Sequence, residues 1–238
     1  MTKKVPWGII DFIIIYVFSV IVSYLLIALW REPMSRALFM LGGVGGAAAE
    51  FFASYFIQFS VSLVIVFIVI IAFRKSAWHD LGFKAISVKD FLLYGIGGGI
   101  GILVLILPLS YLAQIIQPEL EAQNIGKVLQ SSVYYREIIL TLGIGMVLAP
   151  VLEEILYRGV LYPVLKNYLG VRGGCILAGI LFAAAHWDLW RSLPLAAGGM
   201  LLALLYEKTG SIWVPICAHG LWNAVASALV LRGGSLFS

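Results

Sequence analysis

Charge is what this sequence has least of. Only 12% of its 238 residues are Asp, Glu, Lys or Arg, against 62% hydrophobic, and mean hydropathy is +1.02. That balance excludes an ordinary soluble domain. Cysteine is scarce as well: Cys175 and Cys217 both lie in apolar runs, where a small buried hydrophobe is a better reading than a disulfide or a metal pair. No linker, low-complexity tail or internal repeat divides the chain, so 1–238 reads as a single integral membrane domain. Neither Ser211 nor Cys217 has a nucleophile motif around it, and no His-Glu-x-x-His run is present. The net charge of +4 and pI near 9.1 fit basic loops beside membrane spans, so no nucleic-acid partner is assigned. The apolar run after Lys3 and Lys4 is too long for a signal-peptide core and lacks a cleavage site; it reads as an anchor.

What is present is apolar sequence in span-sized blocks. The expected fold is all-α, a polytopic transmembrane helical bundle of seven spans, or eight if 37–49 adds one. The seven are 8–30, 51–73, 91–116, 138–165, 173–187, 193–206 and 213–231. Trp7 and Trp30 suit the headgroup boundaries of the first, with Asp11 interfacial. Residues 31–50, rich in glycine and alanine, read as a loop or re-entrant piece. The glycines between Gly95 and Gly101 lack the Lys-Ser/Thr of a phosphate loop and read as close helix packing. Pro150 and Pro163 are expected kinks, and 117–137, with Glu119 and Glu121, is a polar connection.

Alternate loops give the orientation. One side carries Lys3, Lys4, Arg74, Lys75, Lys84, Lys89, Lys166, Arg172 and Lys208; the other carries Arg31, Arg36, Lys127, Arg136, Arg191 and Arg232. The bias predicts a multi-pass protein of the cell membrane with its N-terminus in the cytoplasm.

The few ionisable residues inside the later spans are the informative ones. Each charge at bilayer depth costs about 2.5–3.5 kcal/mol on translocon scales, so such residues face a cavity and carry function. In the run from Pro150 to Gly159, Glu154 and Arg158 are four apart and share one helix face as an ion pair. Glu153 points elsewhere, about 100° from Glu154 and about 140° from Arg158 on an ideal helix, and that pair leaves it unpartnered. Phe182 and His186 are also one turn apart, as are His219 and Asn223. Taken singly, His186 reads as an interfacial residue, and His219 with Asn223 reads equally as a hydrogen-bonded pair joining helices. Together, an unpaired carboxylate, two imidazoles and an amide from three spans exceed what packing needs. Their chemistry fits peptide hydrolysis: a carboxylate and a neutral imidazole hold and deprotonate a water, and an imidazole and an amide donate to the oxyanion.

Glu153-Glu154-x-x-x-Arg158-Gly159, then Phe182-x-x-x-His186, then His219-x-x-x-Asn223 resembles the CAAX protease and bacteriocin-processing (CPBP, or Abi) family, which includes the Rce1-type CAAX prenyl endopeptidases. The resemblance covers about 138–231. It implies a CAAX-protease-like intramembrane peptidase acting in the lipid bilayer on a membrane-associated or lipidated peptide or protein. Glu153 would activate water together with His186, and His219 with Asn223 would stabilise the oxyanion. Glu154, Arg158 and Phe182 would support the site, and no cofactor would be needed. One alternative keeps the protease but binds zinc through Glu153, His186 and His219, with Glu154 as base. Another is a non-catalytic immunity or scaffold protein using the same cavity. A transporter would show related halves, which this sequence lacks.

Overall fold

Helices with apolar exteriors satisfy their backbone internally, which is what a lipid environment demands. The computed structural model describes residues 5–117 and 123–233; Lys3 and Lys4 of the charge tally, and Glu119 and Glu121 of the polar connection, lie outside them. The described residues form α1 (Ile9–Gly42), α2 (Gly46–Phe73), α3 (Val88–Ile116), α4 (Asn124–Ser131), α5 (Tyr135–Ala184), α6 (Ser192–Thr209) and α7 (Trp213–Leu231). Among them, α1, α2, α3, α5 and α7 are long and apolar enough to cross a membrane. Helix α5 runs for 50 residues and breaks at Gly170, whose φ of 69° and ψ of −178° belong to a backbone region open essentially only to glycine. With α5 in two rods and α6 as another, each of the seven expected spans has its helix.

One expectation is corrected. Residues 31–50 are not a loop, and 37–49 is not an eighth span: α1 continues through Pro33 to Gly42, and α2 begins at Gly46. Gly43 and Gly46, at φ 64° and 57°, supply the tight turn between them. The charges that suggested a loop are paired instead, Arg36 with Glu32 at 2.5 Å and Arg31 with Glu50 at 3.7 Å. At the expected kinks, Pro150 and Pro163, helical structure carries on, and wide π-type turns over Ile144–Leu148 and Ile155–Leu161 precede the two prolines and take up the missing N–H. At the start of α1, Trp7 and Asp11 are covered by protein. The Trp7 indole N–H donates to the Val160 carbonyl at 2.9 Å, and Asp11 pairs with Arg74 at 2.8 Å.

Helix α5 is the axis of the bundle. Its residues 154–162 are all buried, as an all-round apolar helix requires, whereas only 17% of the apolar window of α1 is buried inside the protein. Helix α1 instead presents Ile10, Phe18, Tyr24 and Leu29 outward. Helices α1 and α2 pack as one hairpin and the second rod of α5 with α6 as another, while α7 lies against α3, α6 and the first rod of α5. Polar ties hold the ends. Arg136 donates to the Gly42 carbonyl at 3.0 Å, joining the α1–α2 turn to the start of α5. At the other end Ile212 N–H donates to Gly82 and the Ser211 hydroxyl to Lys84, both at 2.8 Å.

Small residues set the helix spacing, as expected for 95–101. A Cβ at Gly99 would lie 3.1 Å from the Ala218 Cα of α7. A tight crossing is that between α5 and α6, where a Cβ at Gly179 would meet the Ala196 carbonyl oxygen at 2.6 Å and the Met200 nitrogen at 2.7 Å. Gly179→Ala should therefore cost about 1–3 kcal/mol by forcing the backbones apart. Gly101→Ala, with nothing within 4 Å, should be neutral or stabilising by about 0.5–1 kcal/mol. Thermal unfolding of the two variants in detergent, measured beside the wild type, checks that order.

Candidate active site

The chemistry-bearing residues sit where α5 is least regular. Glu153 and Glu154 occupy the short α-helical stretch Ala149–Glu154 between the two wide turns. Glu154 and Arg158 are fully buried and bonded at 2.8 Å through Oε1 and Nη1, as their spacing predicts. The same Oε1 lies 2.8 Å from Nδ1 of His219, a partner that spacing within one helix could not reveal. Arg158 Nη2 donates to the Gly199 carbonyl of α6 at 2.9 Å, so one guanidinium and one carboxylate join α5, α6 and α7. With the Glu154 oxygen as acceptor for Arg158 and His219 alike, Nδ1 of His219 is the nitrogen that donates. Nε2 then faces outward, 3.8 Å from Glu153 Oε2.

Phe182 is the apolar centre of this arrangement. Its fully buried ring carries the Arg158 guanidinium at 4.9 Å on centroid distance. It packs against the rings of His186 at 4.8 Å, Tyr157 at 5.2 Å and His219 at 5.7 Å. His186 lies just past the end of α5, on the turn leading to α6, and is exposed. Its Nδ1 is 2.8 Å from the Phe182 carbonyl. A carbonyl only accepts, so Nδ1 carries the proton and Nε2 presents its lone pair. The two imidazoles are therefore held differently, one against a carboxylate and one against a backbone oxygen.

Asn223 is half-buried, and its Nδ2 donates to the Gly145 carbonyl at 2.8 Å. The reason lies in the turn before Pro150. In the wide register Ala149 N–H donates to Ile144, so the next donor in line for Gly145 is residue 150, a proline with no N–H. Asn223 supplies it and leaves its second N–H for other use.

Glu153, His186, His219 and Asn223, the four residues singled out by motif, line one cavity of about 210 Å³. Glu153 has a quarter of its side chain exposed and pairs with no Lys or Arg among the described residues. Ile125, Leu129, Ile144 and Val230 make the other walls apolar. Two polar residues of the lining, Tyr55 and Arg191, carry no motif and escape sequence reasoning. Arg191 pairs with Asp188 at 2.5 Å. Burial works against the Asp188 carboxylate, but the Arg191 side chain and N–H outweigh it and hold its pKa below the usual range. As for the alternative zinc set, among the described residues no three His, Cys, Asp or Glu side chains converge as a group able to hold a metal ion.

The Arg158–Glu154 pair yields a stability test. Arg158→Ala leaves a buried carboxylate without its cation and should cost about 3–5 kcal/mol; adding Glu154→Gln should restore part of the loss, because the uncompensated charge is gone. Unfolding temperatures of the single and double variants check this, and an unchanged value for Arg158→Ala would contradict it.

Residues 135–225, which contain all of these motif residues, match the family model described as type II CAAX prenyl endopeptidase Rce1-like. Two proteins of Bacillus subtilis (strain 168) are similar over part of their length. "Putative membrane peptidase YdiL" is 30% identical over 89 residues, 37% of this chain and 36% of that protein. "Uncharacterized protein YpbD" is 37% identical over 79 residues, 31% of this chain and 36% of that protein. The similarity thus spans about a third of the length of each relative. No solved structure matches.

Proposed function

We propose, from the match of residues 135–225 to the Rce1-like family model of CAAX prenyl endopeptidases, that this chain is an intramembrane endopeptidase that uses a glutamate-activated water. The observation that carries the proposal is the placing of Glu153: a carboxylate with no Lys or Arg partner among the described residues, opening into a cavity shared with His186, His219 and Asn223.

Glu153 acts as general base. It takes a proton from a water that also donates to the Nε2 lone pair of His186, while the water oxygen forms a bond to the scissile carbonyl carbon. The carbonyl π pair moves onto oxygen. That oxyanion accepts hydrogen bonds from His219 Nε2–H, in the imidazolium form, and from the second N–H of Asn223. Collapse breaks the C–N bond, and the amine leaves with the proton held by Glu153. Glu154 fixes the orientation of His219, and Arg158 holds the Glu154 carboxylate in place. The apolar walls suit a membrane-associated or lipidated peptide drawn from the bilayer, and no metal takes part. The N-terminus is placed in the cytoplasm by the excess of Lys and Arg on its side.

The test compares membrane peptides, by mass spectrometry, from cells making wild-type or Glu153→Gln protein at equal levels. A cleavage product should fall at least about 100-fold in the variant and persist when purified wild-type protein is treated with a chelator. The same product from Glu153→Gln cells would overturn the hydrolytic reading and leave a non-catalytic scaffold. Loss under the chelator, restored by zinc, would return the alternative metal set.

A further inference from the structure

We propose that Tyr55 is a further catalytic residue of this site, its phenolic O–H donating a hydrogen bond to the oxygen that becomes negative when water adds to the scissile carbonyl. The inference rests on the peptidase reading and extends it to α2, outside the 135–225 segment that carries every motif.

Tyr55 is half-buried and lines the same cavity as Glu153, His219 and Asn223. It stands close enough to Glu153 for the two groups to interact electrostatically, yet its hydroxyl bonds to no described residue. The two polar groups thus share the cavity without closing on each other. Helix α2 packs on the stretch of α5 that holds Glu153, while His219 arrives from α7. Glu153 is therefore flanked by His219 on one helix and by a phenol on another.

The donors already assigned leave work for this group. Asn223 has one N–H committed to the Gly145 carbonyl. His219 has Nδ1 committed to Glu154 and donates from Nε2 only as an imidazolium. A phenol keeps its proton throughout the neutral range, so it is a donor whatever the state of His219. No proton leaves Tyr55 in the cycle: the transferred proton goes from water to Glu153 to the departing amine, and the phenol lends only a hydrogen bond. Packing alone accounts for the ring, which lies 6.3 Å from that of Phe51, but not for the hydroxyl of a residue that lines the cavity.

The experiment follows the cleavage product in cells making wild-type, Glu153→Gln, Tyr55→Phe or Tyr24→Phe protein at equal levels, the last altering a lipid-facing tyrosine of α1. Tyr55→Phe should lower product formation by at least about tenfold, toward the 10²-fold typical of a lost oxyanion donor, with an unchanged unfolding temperature; Tyr24→Phe should match the wild type. Product at the wild-type rate from Tyr55→Phe, with Glu153→Gln inactive, overturns the role of Tyr55 alone. Undiminished product from Glu153→Gln removes the peptidase reading and this inference with it. Should Tyr55→Phe unfold, difluorotyrosine at position 55 serves instead: its phenol ionises nearer neutrality, so activity should fall with rising pH at a lower pH than in the wild type. A pH profile that does not move overturns the proposal.

Discussion

The rest of the structure depends on one oxygen atom. Glu154 Oε1 receives both Arg158 and His219, and Arg158 reaches on to the backbone of α6. Remove that junction and α5, α6 and α7 lose their common reference. It is a poor device for stability: burying both ions carries a desolvation penalty of several kcal/mol each, and Glu154 Oε2 and Arg158 Nε find no hydrogen-bond partner among the described residues. A well-packed apolar trio would hold three helices together at lower cost. What such a trio would not supply is an imidazole with one nitrogen fixed and the other turned to a cavity. The junction is better understood as a positioning device that the fold tolerates.

The irregularity of α5 serves the same end. A proline in mid-helix normally leaves a carbonyl without its donor, and each wide turn displaces the register by one residue. Here, carbonyls of such turns are taken up from outside, by Asn223 at Gly145 and by Trp7 at Val160. The side chains that bind these oxygens are thereby locked to the helix that carries Glu153. Defects in one helix become attachment points for others, which is how a site assembled from separate spans keeps its geometry.

Much of this was legible in the sequence because charge is so expensive in an apolar chain. Glu153, Glu154, Arg158, His186 and His219 stand out against their surroundings, and the structure gathers them. The spans were legible for the same reason, down to the limits of the last one, 213–231. What escaped depends on contacts between distant residues. Glycines and ion-paired charges made 31–50 resemble a loop, since Arg31 with Glu50 is a pair only once the hairpin has formed. Proline marked the irregular stretches of α5, where the wide turns lie, while the elbow at Gly170 was one glycine among many. Tyr55 was one tyrosine in an apolar run, and only the packing of α2 on α5 brings it to the cavity.

The first helix has a bearing on the membrane itself. At 34 residues it is about 51 Å long, against about 40–45 Å for a bilayer with its headgroups, yet its far tip shows Phe39, Met40 and Leu41 at 64%, 80% and 90% exposure. Upright, those side chains would stand in water. Leaning by about 35° keeps them within the lipid, inside the range that spanning helices adopt. A rod inclined so far accommodates its excess length without carrying its apolar tip into water.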